Sequence, residues 1–211
     1  MGCAHTPVSL TFSEAFGLRY RVEDTQLNPN LRYLRVVIDG HSALMVLGYV
    51  EPSPKGSIET WYSNSGEVLQ LSNGRLWSTS GLRVDWRAVQ HLSQPPSWND
   101  VVSHQTQSVG QHLRWRYQRQ LDKMPGYRFG QKQVVTLRPV PVQNDAALLG
   151  IKPDELHWFE EALDDRFHLK PSARYGLLNT DGKPRVVYGE QCLESSSCLS
   201  WQEWPIRKSG P

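Results

Sequence analysis

Residues 34–50 read Leu34-Arg-Val-Val-Ile38-Asp39-Gly40-His-Ser-Ala-Leu-Met-Val-Leu-Gly-Tyr-Val50. Two apolar runs rich in β-branched residues, 34–38 and 42–50, flank the dipeptide Asp39-Gly40. An Asp-Gly pair between two such runs is a strong signal for a two-residue β-hairpin turn, because both turn positions require positive φ angles. The segment therefore predicts a pair of antiparallel strands.

The alternation of extended segments and tight turns continues for about thirty more residues. Extended segments at 58–62, 67–71 and 75–79 are separated by a Ser-Asn-Ser-Gly turn and by Asn73-Gly74. Leu69 and Leu71 lie on one face of their strand, since side chains alternate along a strand. Together with the first hairpin, these segments predict a five-stranded antiparallel meander.

The rest of the chain adds further strands. Strands are predicted at 112–120 and 127–138, and a last hairpin at 174–179 and 185–190 surrounds Asp181-Gly182. Residues 90–110 are polar and are interpreted as a surface loop.

Residues 151–167 are predicted to form a helix, because Leu156, Phe159, Leu163 and Phe167 recur at helical spacing after Pro153. The expected fold class is mainly β: an antiparallel meander, barrel-like or sandwich sheet with one or two short helices.

Composition excludes several classes of protein. The 211 residues are 38% hydrophobic and 21% charged, as in an ordinary globular protein. A net charge of +2 gives no support for nucleic-acid binding. No run approaches the roughly 18 apolar residues of a membrane helix. The chain has eight Trp and eight Tyr but only five Phe, so most of its aromatic rings carry a hydrogen-bonding group. Such rings occur both in β cores and in sugar-binding sites.

The three cysteines divide into a pair and a single residue. Cys192 and Cys198 bracket a short polar segment and are predicted to form a disulfide of the kind found in oxidising compartments, with free thiols as the alternative. Cys3 follows Gly2, and a small residue before a cysteine is typical of the processing site of bacterial lipoproteins. We expect Cys3 to be lipidated, residues 1–10 to be a flexible tether and residues 11–211 to be a single domain. An accidental cysteine near the terminus is the alternative.

The sequence gives little evidence for catalytic groups. Glu160, Glu161, Asp164 and Asp165 are expected on the polar, solvated side of the predicted helix, without the facing carboxyl pair that glycoside hydrolysis needs. His157 and Glu161 are four residues apart, but no third metal ligand is evident. No Gly-x-Ser-x-Gly elbow occurs. No catalytic residue, metal or cofactor is therefore expected.

The best binding candidate is the strand predicted at 112–120. Arg114 and Arg116 project to one face of it, opposite Trp115 and Tyr117. Fixed guanidinium groups suit the carboxylates of an acidic polysaccharide. An ordinary solvent-facing strand is the alternative interpretation.

The stretch Trp61-Tyr-Ser-Asn-Ser-Gly66-Glu-Val-Leu-Gln-Leu-Ser-Asn73-Gly74-Arg75-Leu-Trp-Ser-Thr79-Ser-Gly81-Leu82 resembles the YjbF and group 4 capsule lipoprotein family. The resemblance rests on the Trp-containing strand, the Asn-Gly-Arg turn, the Thr and the Gly-Leu. Trp61 and Arg75 thereby join Arg114 and Arg116 as a candidate surface for glycan or a partner. The motif also has a purely structural interpretation, since Asn73-Gly74 permits a tight turn and Gly81 can end a strand.

The resemblance implies a lipid-anchored protein on the periplasmic face of the outer membrane. Its expected role is non-enzymatic assistance to exopolysaccharide or capsule production or export, with polysaccharide or export-machinery proteins as partners. Two alternatives remain: a polysaccharide-modifying enzyme, and a β scaffold that carries lipid in a dry cavity.

Overall fold

The computed structural model describes residues 22–53, 56–107, 113–164, 173–194 and 196–207. Twelve strands and one α-helix form the regular structure of this part of the chain. They are β1 (Tyr33–Ile38), β2 (His41–Ser53), β3 (Gly56–Tyr62), β4 (Val68–Ser72), β5 (Arg75–Ser80), β6 (Asp85–His91), α1 (Trp98–Gln107), β7 (Trp115–Met124), β8 (Arg128–Pro139), β9 (His157–Leu163), β10 (Ala173–Thr180), β11 (Lys183–Glu194) and β12 (Ser197–Trp204).

The predicted meander is confirmed as β1 to β5. Asp39 and Gly40 have φ angles of 49° and 82°, and Asn73 and Gly74 have 50° and 73°. Positive φ at both central residues is what a tight hairpin turn of the primed type requires. Leu69 and Leu71 are both buried, in line with their predicted common face. Local turn chemistry therefore places these strands without help from distant residues.

All twelve strands belong to one antiparallel sheet, in the order β5-β4-β3-β2-β1-β12-β11-β10-β9-β8-β7-β6. The two outermost strands, β5 and β6, are consecutive in sequence and lie side by side. The sheet is thus a nearly closed, barrel-like structure, which confirms the predicted fold class. Curling of a large twisted sheet in this way covers its exposed edges.

Side-chain hydrogen bonds bridge the seam between β5 and β6. The Asp85 carboxylate accepts from the Thr79 hydroxyl at 3.0 Å and from the backbone N–H groups of Gly81 and Leu82 at 3.1 and 3.2 Å. The Thr79 hydroxyl in turn accepts from the Trp86 N–H at 3.0 Å. One buried carboxylate therefore organises the turn that closes the barrel.

The helix predicted for residues 151–167 is wrong. A 3-10 turn at Pro153–Glu155 leads directly into β9, which pairs with β8 on one side and β10 on the other. Phe159 and Glu161 face the interior, whereas Trp158 packs into a second apolar cluster. Strand partners on both sides override the local helical spacing. Residue 167 lies outside the described residues.

The surface loop predicted for residues 90–110 is also corrected, because it contains α1. The Ser97 hydroxyl accepts from the Asp100 N–H at 3.2 Å and donates to the Asp100 carboxylate, which begins the helix. Trp98, Val101 and Val102 recur at helical spacing and are buried. The helix therefore contributes its apolar side to the interior of the barrel.

Buried side chains form two clusters. The larger fills the barrel and includes residues from α1 and nearly every strand. The smaller is built on Ile151, Leu156, Trp158, Val187 and Tyr188, where the segment between β8 and β9 packs on the sheet. Both faces of β9 to β11 are thus covered, which agrees with their nearly continuous burial.

Gly189 is required for this packing, and we expect Gly189→Ala to destabilise the fold by about 1–3 kcal/mol through overpacking. A Cβ at this position would lie 2.2 Å from the Trp201 ring, which is buried on β12. Gly48→Ala is the matched control: its Cβ would lie 2.4 Å from the ring of Tyr62, which is 41% exposed and contacts only the exposed Tyr49 ring among the aromatic pairs of the described residues, so it can shift toward solvent. Urea denaturation of both variants checks this. Equal losses for the two variants would contradict the argument.

Candidate functional site

A pocket opens at the end of the barrel where β1 begins. Its volume is about 260 Å³, and it lies between the wall formed by β3 to β5 and the wall formed by β1, β12 and β11. Its floor consists of buried side chains from both walls and from α1: Trp61, Trp98, Trp201, Leu34 and Leu71. We call this the mouth pocket. Barrel mouths are a common position for ligand sites.

Trp61 carries an unsatisfied donor in the mouth pocket. The side chain is 1% exposed, and its Nε1–H has no hydrogen-bond acceptor among the described residues. The indole of Trp98, by contrast, donates to the Asn73 carbonyl at 2.8 Å. A buried donor without an acceptor costs about 1–3 kcal/mol. The Nε1 atom is closed to water as well, so this cost belongs to the packing of the pocket floor and not to a ligand contact.

Ion pairs form the rim of the mouth pocket. Arg32 contacts Glu59 at 2.7 Å, and Arg185 pairs with Glu203 and also donates to the Arg207 carbonyl. Partial burial and the nearby charges of Arg32 and Arg207 lower the pKa of Arg185. The charged residues that line the pocket therefore balance, two guanidinium groups against two carboxylates, while Arg207 lies beside Arg185 outside the lining.

A second polar cluster lies inside the barrel. Glu161 is fully buried, and its carboxylate is 3.3 Å from Arg75 Nε and 3.6 Å from Arg119 Nη1. Tyr175 donates its hydroxyl to the same carboxylate at 3.3 Å. Burial and the negative charge of Glu161 raise the pKa values of Tyr117 and Tyr175, so both phenols stay protonated. We call this group the buried arginine cluster.

Aromatic faces and further acceptors stabilise the two arginines. The Arg75 guanidinium lies 3.7 Å from the centre of the Trp98 ring and donates to the Pro96 carbonyl at 3.2 Å. Arg119 lies 4.8 Å from the Trp86 ring and donates to the Gln133 side chain at 2.9 Å. Cation–π contacts of this kind gain strength where water is excluded. Arg75 therefore links the buried arginine cluster to the floor of the mouth pocket.

The Asn73-Gly74-Arg75 motif now has a structural explanation. The Asn73 carbonyl fixes Trp98, and Arg75 stacks on the same ring. A Cβ at Gly74 would lie 2.4 Å from the Cβ of Val186 on β11, so glycine allows the hairpin tip to approach the opposite wall. The motif therefore shapes the mouth pocket without contributing free functional groups.

Two of the four residues predicted for a glycan or partner surface are not on the surface. Trp61 lies in the floor of the mouth pocket, and Arg75 is 5% exposed and bound to Glu161. Both correspond to inward positions of a closed sheet, which the sequence pattern could not distinguish from outward ones.

Arg114 and Arg116 do project outward, and the predicted alternation with Tyr117 is confirmed. Arg116 pairs there with Asp164. Neither residue lines the mouth pocket, so the structure does not bring the four predicted residues together.

Two of the three cysteines lie within the described residues. Cys192 and Cys198 are opposite each other in the β11–β12 hairpin, with their sulfur atoms 2.00 Å apart in a disulfide. Cys3 lies outside the described residues. The mouth pocket is at the other end of the barrel from this hairpin, so the disulfide plays no direct part in its chemistry.

Sequence reasoning missed Trp98, Trp201, Arg119 and Glu161. The prediction that Glu161 lies on a solvated helix face is wrong, since β9 turns it inward between two arginines. The pattern Ser97-x-x-Asp100 was a usable signal for the helix that carries Trp98. In the described ranges, no group of three or more His, Cys, Asp or Glu side chains is placed to hold a metal ion.

Comparison with known proteins agrees with this architecture, an all-antiparallel, barrel-like domain with a pocket at one mouth. The sequence profile of the family "Group 4 capsule polysaccharide lipoprotein gfcB, YjbF" matches residues 21–164. Since this is more than half of the chain, the protein belongs to that family. Membership is consistent with a role in capsule production and with a membrane-anchored location in the cell envelope.

The fold is also found in a solved structure. The crystal structure of the hypothetical lipoprotein YmcC from Escherichia coli (K12) matches with a TM-score of 0.61 and 16% sequence identity, over 98% of this chain and 99% of that chain. At this identity the likeness concerns the fold alone. No curated protein matched the sequence. Of the described helices, none has the length and apolar character needed to cross a membrane.

Proposed function

We propose that the protein is a non-enzymatic, lipid-anchored accessory of capsule or exopolysaccharide production and export, facing the periplasm from the outer membrane. In this proposal it holds polysaccharide in the mouth pocket. The observation that carries the proposal is a pocket at the barrel mouth whose rim presents the partly exposed side chains of Arg32 and Arg185 above three indole rings. Family membership supplies the polysaccharide context.

The chemistry of the mouth pocket suits a sugar. A pyranose presents C–H-rich faces, which pack on indole rings, and an edge of hydroxyl and ring oxygens, which accept hydrogen bonds. The pocket offers both partners, since indole rings lie in its floor and the rim provides partly exposed arginines as donors. A volume of 260 Å³ lies just below the usual lower limit of about 300 Å³ for small-molecule sites, which fits a unit about the size of one sugar ring.

Anchoring through Cys3 remains part of the proposal. The described chain enters the sheet at Tyr33, next to the rim residue Arg32. The Cys192–Cys198 bridge supports a periplasmic setting, because disulfides persist in oxidising compartments.

The rim carboxylates support a binding role over catalysis. Glu59 is engaged by Arg32 and Glu203 by Arg185. A glycosidase needs one carboxyl group that is free to donate a proton and a second that acts as a base or nucleophile. Carboxylates already engaged by guanidinium groups are not free to take either role.

The test is Arg32→Gln, which keeps a polar side chain at the rim but removes its charge. We expect about tenfold weaker binding of the surface polysaccharide purified from the same strain, because the loss of one charge-assisted hydrogen bond at this rim corresponds to about 1.4 kcal/mol. Introduced into the host gene, the same change is expected to lower the amount or alter the chain length of surface polysaccharide.

Arg138→Gln is the matched control, since Arg138 is a similarly exposed, ion-paired arginine outside the mouth pocket. It is expected to leave binding and polysaccharide unchanged. Thermal unfolding of both variants separates a local effect from a loss of fold. Normal binding and a normal polysaccharide profile in a folded Arg32→Gln variant would refute the proposal.

A further inference from the structure

The tip of the β7–β8 hairpin exposes two aromatic rings to solvent. Tyr127 is 73% exposed and Phe129 is 59% exposed, the highest values among the large hydrophobic side chains of the described residues. Their ring centres lie 6.3 Å apart in an edge-on arrangement, and every residue from 125 to 130 is exposed. The hairpin therefore holds two rings together in solvent, outside both buried clusters.

The backbone of the tip makes Tyr127 an unusual choice for folding alone. Its φ angle is 52°, in the left-handed region where bulky side chains are uncommon and Asn or Gly is favoured. The ring does not compensate by packing in a core, since it is mostly exposed. An exposed aromatic side chain at this position is therefore better explained by a contact with something outside the barrel.

The hairpin places positive charge around the two rings. Between residues 122 and 132 it has Lys123, Arg128 and Lys132 but only one acid, Asp122. Arg128 and Lys132 are exposed, and neither forms an ion pair with another described residue. The Asp122 carboxylate accepts a hydrogen bond from a backbone N–H of the same hairpin at 2.7 Å. The tip thus presents two free cations beside two rings.

The β11–β12 hairpin lies beside this tip. Lys123 Nζ donates to the Leu193 carbonyl at 2.9 Å, which joins the two hairpins. Glu194 lies 4.0 Å from the Arg83 guanidinium, so the acid of the neighbouring hairpin has a basic partner of its own. Both hairpins lie at the end of the barrel opposite the mouth pocket.

A lipid surface suits this tip better than a protein partner does. Two aromatic side chains bury about 150–250 Å² each, whereas each partner in a stable protein interface contributes about 800 Å². Aromatic rings beside Lys and Arg are typical of segments that enter the headgroup region of a bilayer, and anionic headgroups attract exposed cations. Membership in a lipoprotein family is consistent with a bilayer near the protein.

We propose that the tip of the β7–β8 hairpin binds the headgroup region of an anionic lipid bilayer. Tyr127 and Phe129 enter the interface, and Arg128 and Lys132 bind lipid phosphates. This contact is independent of polysaccharide binding, and it orients the barrel. The tip faces the bilayer, and the mouth pocket at the other end opens away from it.

Vesicle binding tests this contact. The parent protein is the full 211-residue chain with Cys3→Ser, so that no acyl group at residue 3 contributes. It is mixed with sucrose-loaded vesicles at up to about 5 mM lipid, because a contact without an acyl chain is weak and reversible. Vesicles of phosphatidylcholine alone are compared with vesicles that contain about one third phosphatidylglycerol, and the sedimented fraction gives the partition coefficient.

The rings are tested by Tyr127→Asn combined with Phe129→Ser, since Asn suits the positive φ angle of residue 127. We expect the partition coefficient into anionic vesicles to fall about tenfold, because the ring surface no longer leaves water. Tyr49→Ser combined with Tyr62→Ser is the matched control: these rings lie 6.4 Å apart on β2 and β3 and are 45% and 41% exposed. The control is expected to stay within about twofold of the parent.

The cations are tested by Arg128→Gln combined with Lys132→Gln. The parent is expected to prefer anionic over neutral vesicles by about fivefold or more, and this variant or high salt is expected to reduce that preference towards equality. Arg114→Gln combined with Arg138→Gln, which are exposed at the other end of the barrel, is expected to retain it. Equal binding of the parent to neutral and anionic vesicles would overturn the proposal, because the proposal requires an anionic surface.

Two further outcomes would overturn the proposal. The first is no binding to anionic vesicles by the parent, or undiminished binding by a ring variant whose thermal unfolding is unchanged. The second is self-association of the parent, measured by sedimentation equilibrium, that the ring variant abolishes, since the rings would then belong to a contact with a second copy. None of these outcomes affects the proposed polysaccharide binding, which Arg32→Gln tests separately.

Discussion

Glu161→Gln is expected to lower the free energy of unfolding by about 3–5 kcal/mol, the usual cost of removing one partner from a buried ionic group. The glutamine keeps the shape of the side chain but leaves Arg75 and Arg119 as two buried cations without a counter-charge. Both arginines are less than one tenth exposed, so water cannot replace the carboxylate. The aromatic faces of Trp98 and Trp86 offset only part of that charge.

The neighbouring residue provides the matched control. Glu160 lies on the opposite face of β9 and pairs with Arg138, which is 47% exposed. We expect Glu160→Gln to change the free energy of unfolding by less than about 1 kcal/mol, as for other solvent-screened pairs. Urea denaturation of the two variants under identical conditions makes the comparison. A loss at Glu161 as small as that at Glu160 would show that the buried arginine cluster contributes little to stability.

Asp85→Ala is expected to destabilise the protein by about 3 kcal/mol, since hydrogen bonds to a charged acceptor are worth about 1.5–3 kcal/mol each and are not additive. Its carboxylate accepts three hydrogen bonds at the seam, from Thr79, Gly81 and Leu82. Alanine leaves these donors without their acceptor, where β5 and β6 close the barrel. Hydrogen exchange should therefore accelerate first in β5 and β6.

Asp122→Ala is the comparison for the seam prediction. Asp122 accepts one hydrogen bond, from the Gly130 N–H at 2.7 Å in the β7–β8 hairpin, and it is partly exposed. Water can replace that bond, so we expect a loss of about 1 kcal/mol or less. If exchange in β5 and β6 is no faster in Asp85→Ala than in Asp122→Ala, the seam does not depend on this carboxylate.

Local sequence was sufficient for the hairpins and for the faces of well-patterned strands. Asp39-Gly40 and Asn73-Gly74 both adopt positive φ angles, as their residue types require. The alternation of Arg114 and Arg116 with Tyr117 on β7 was also predictable, because it depends only on the two-residue period of a strand. These features are decided within a few residues of chain.

Local sequence gave a wrong prediction where the spacing of apolar residues fits a helix although the segment forms a strand. In residues 156–163, Leu156, Phe159 and Leu163 fit a helix, yet the segment forms β9 between β8 and β10. The decisive interactions come from strands more than ten residues away on either side. The prediction for Glu161 was wrong for a related reason. Its charge indicated a solvent-exposed position, whereas two arginines from distant strands hold its carboxylate inside the barrel.

The sequence by itself determined the β class of this protein, its tight turns and the motif that joins it to its family. Only the tertiary structure decided the closure of the sheet, the inward position of Arg75 and the assembly of Trp61, Trp98 and Trp201 in one pocket. The physical reason is the distance along the sequence between the residues that interact. A turn depends on the φ and ψ preferences of adjacent residues, whereas a pocket depends on packing and charge pairing between residues as far apart in the sequence as Arg32 and Glu203.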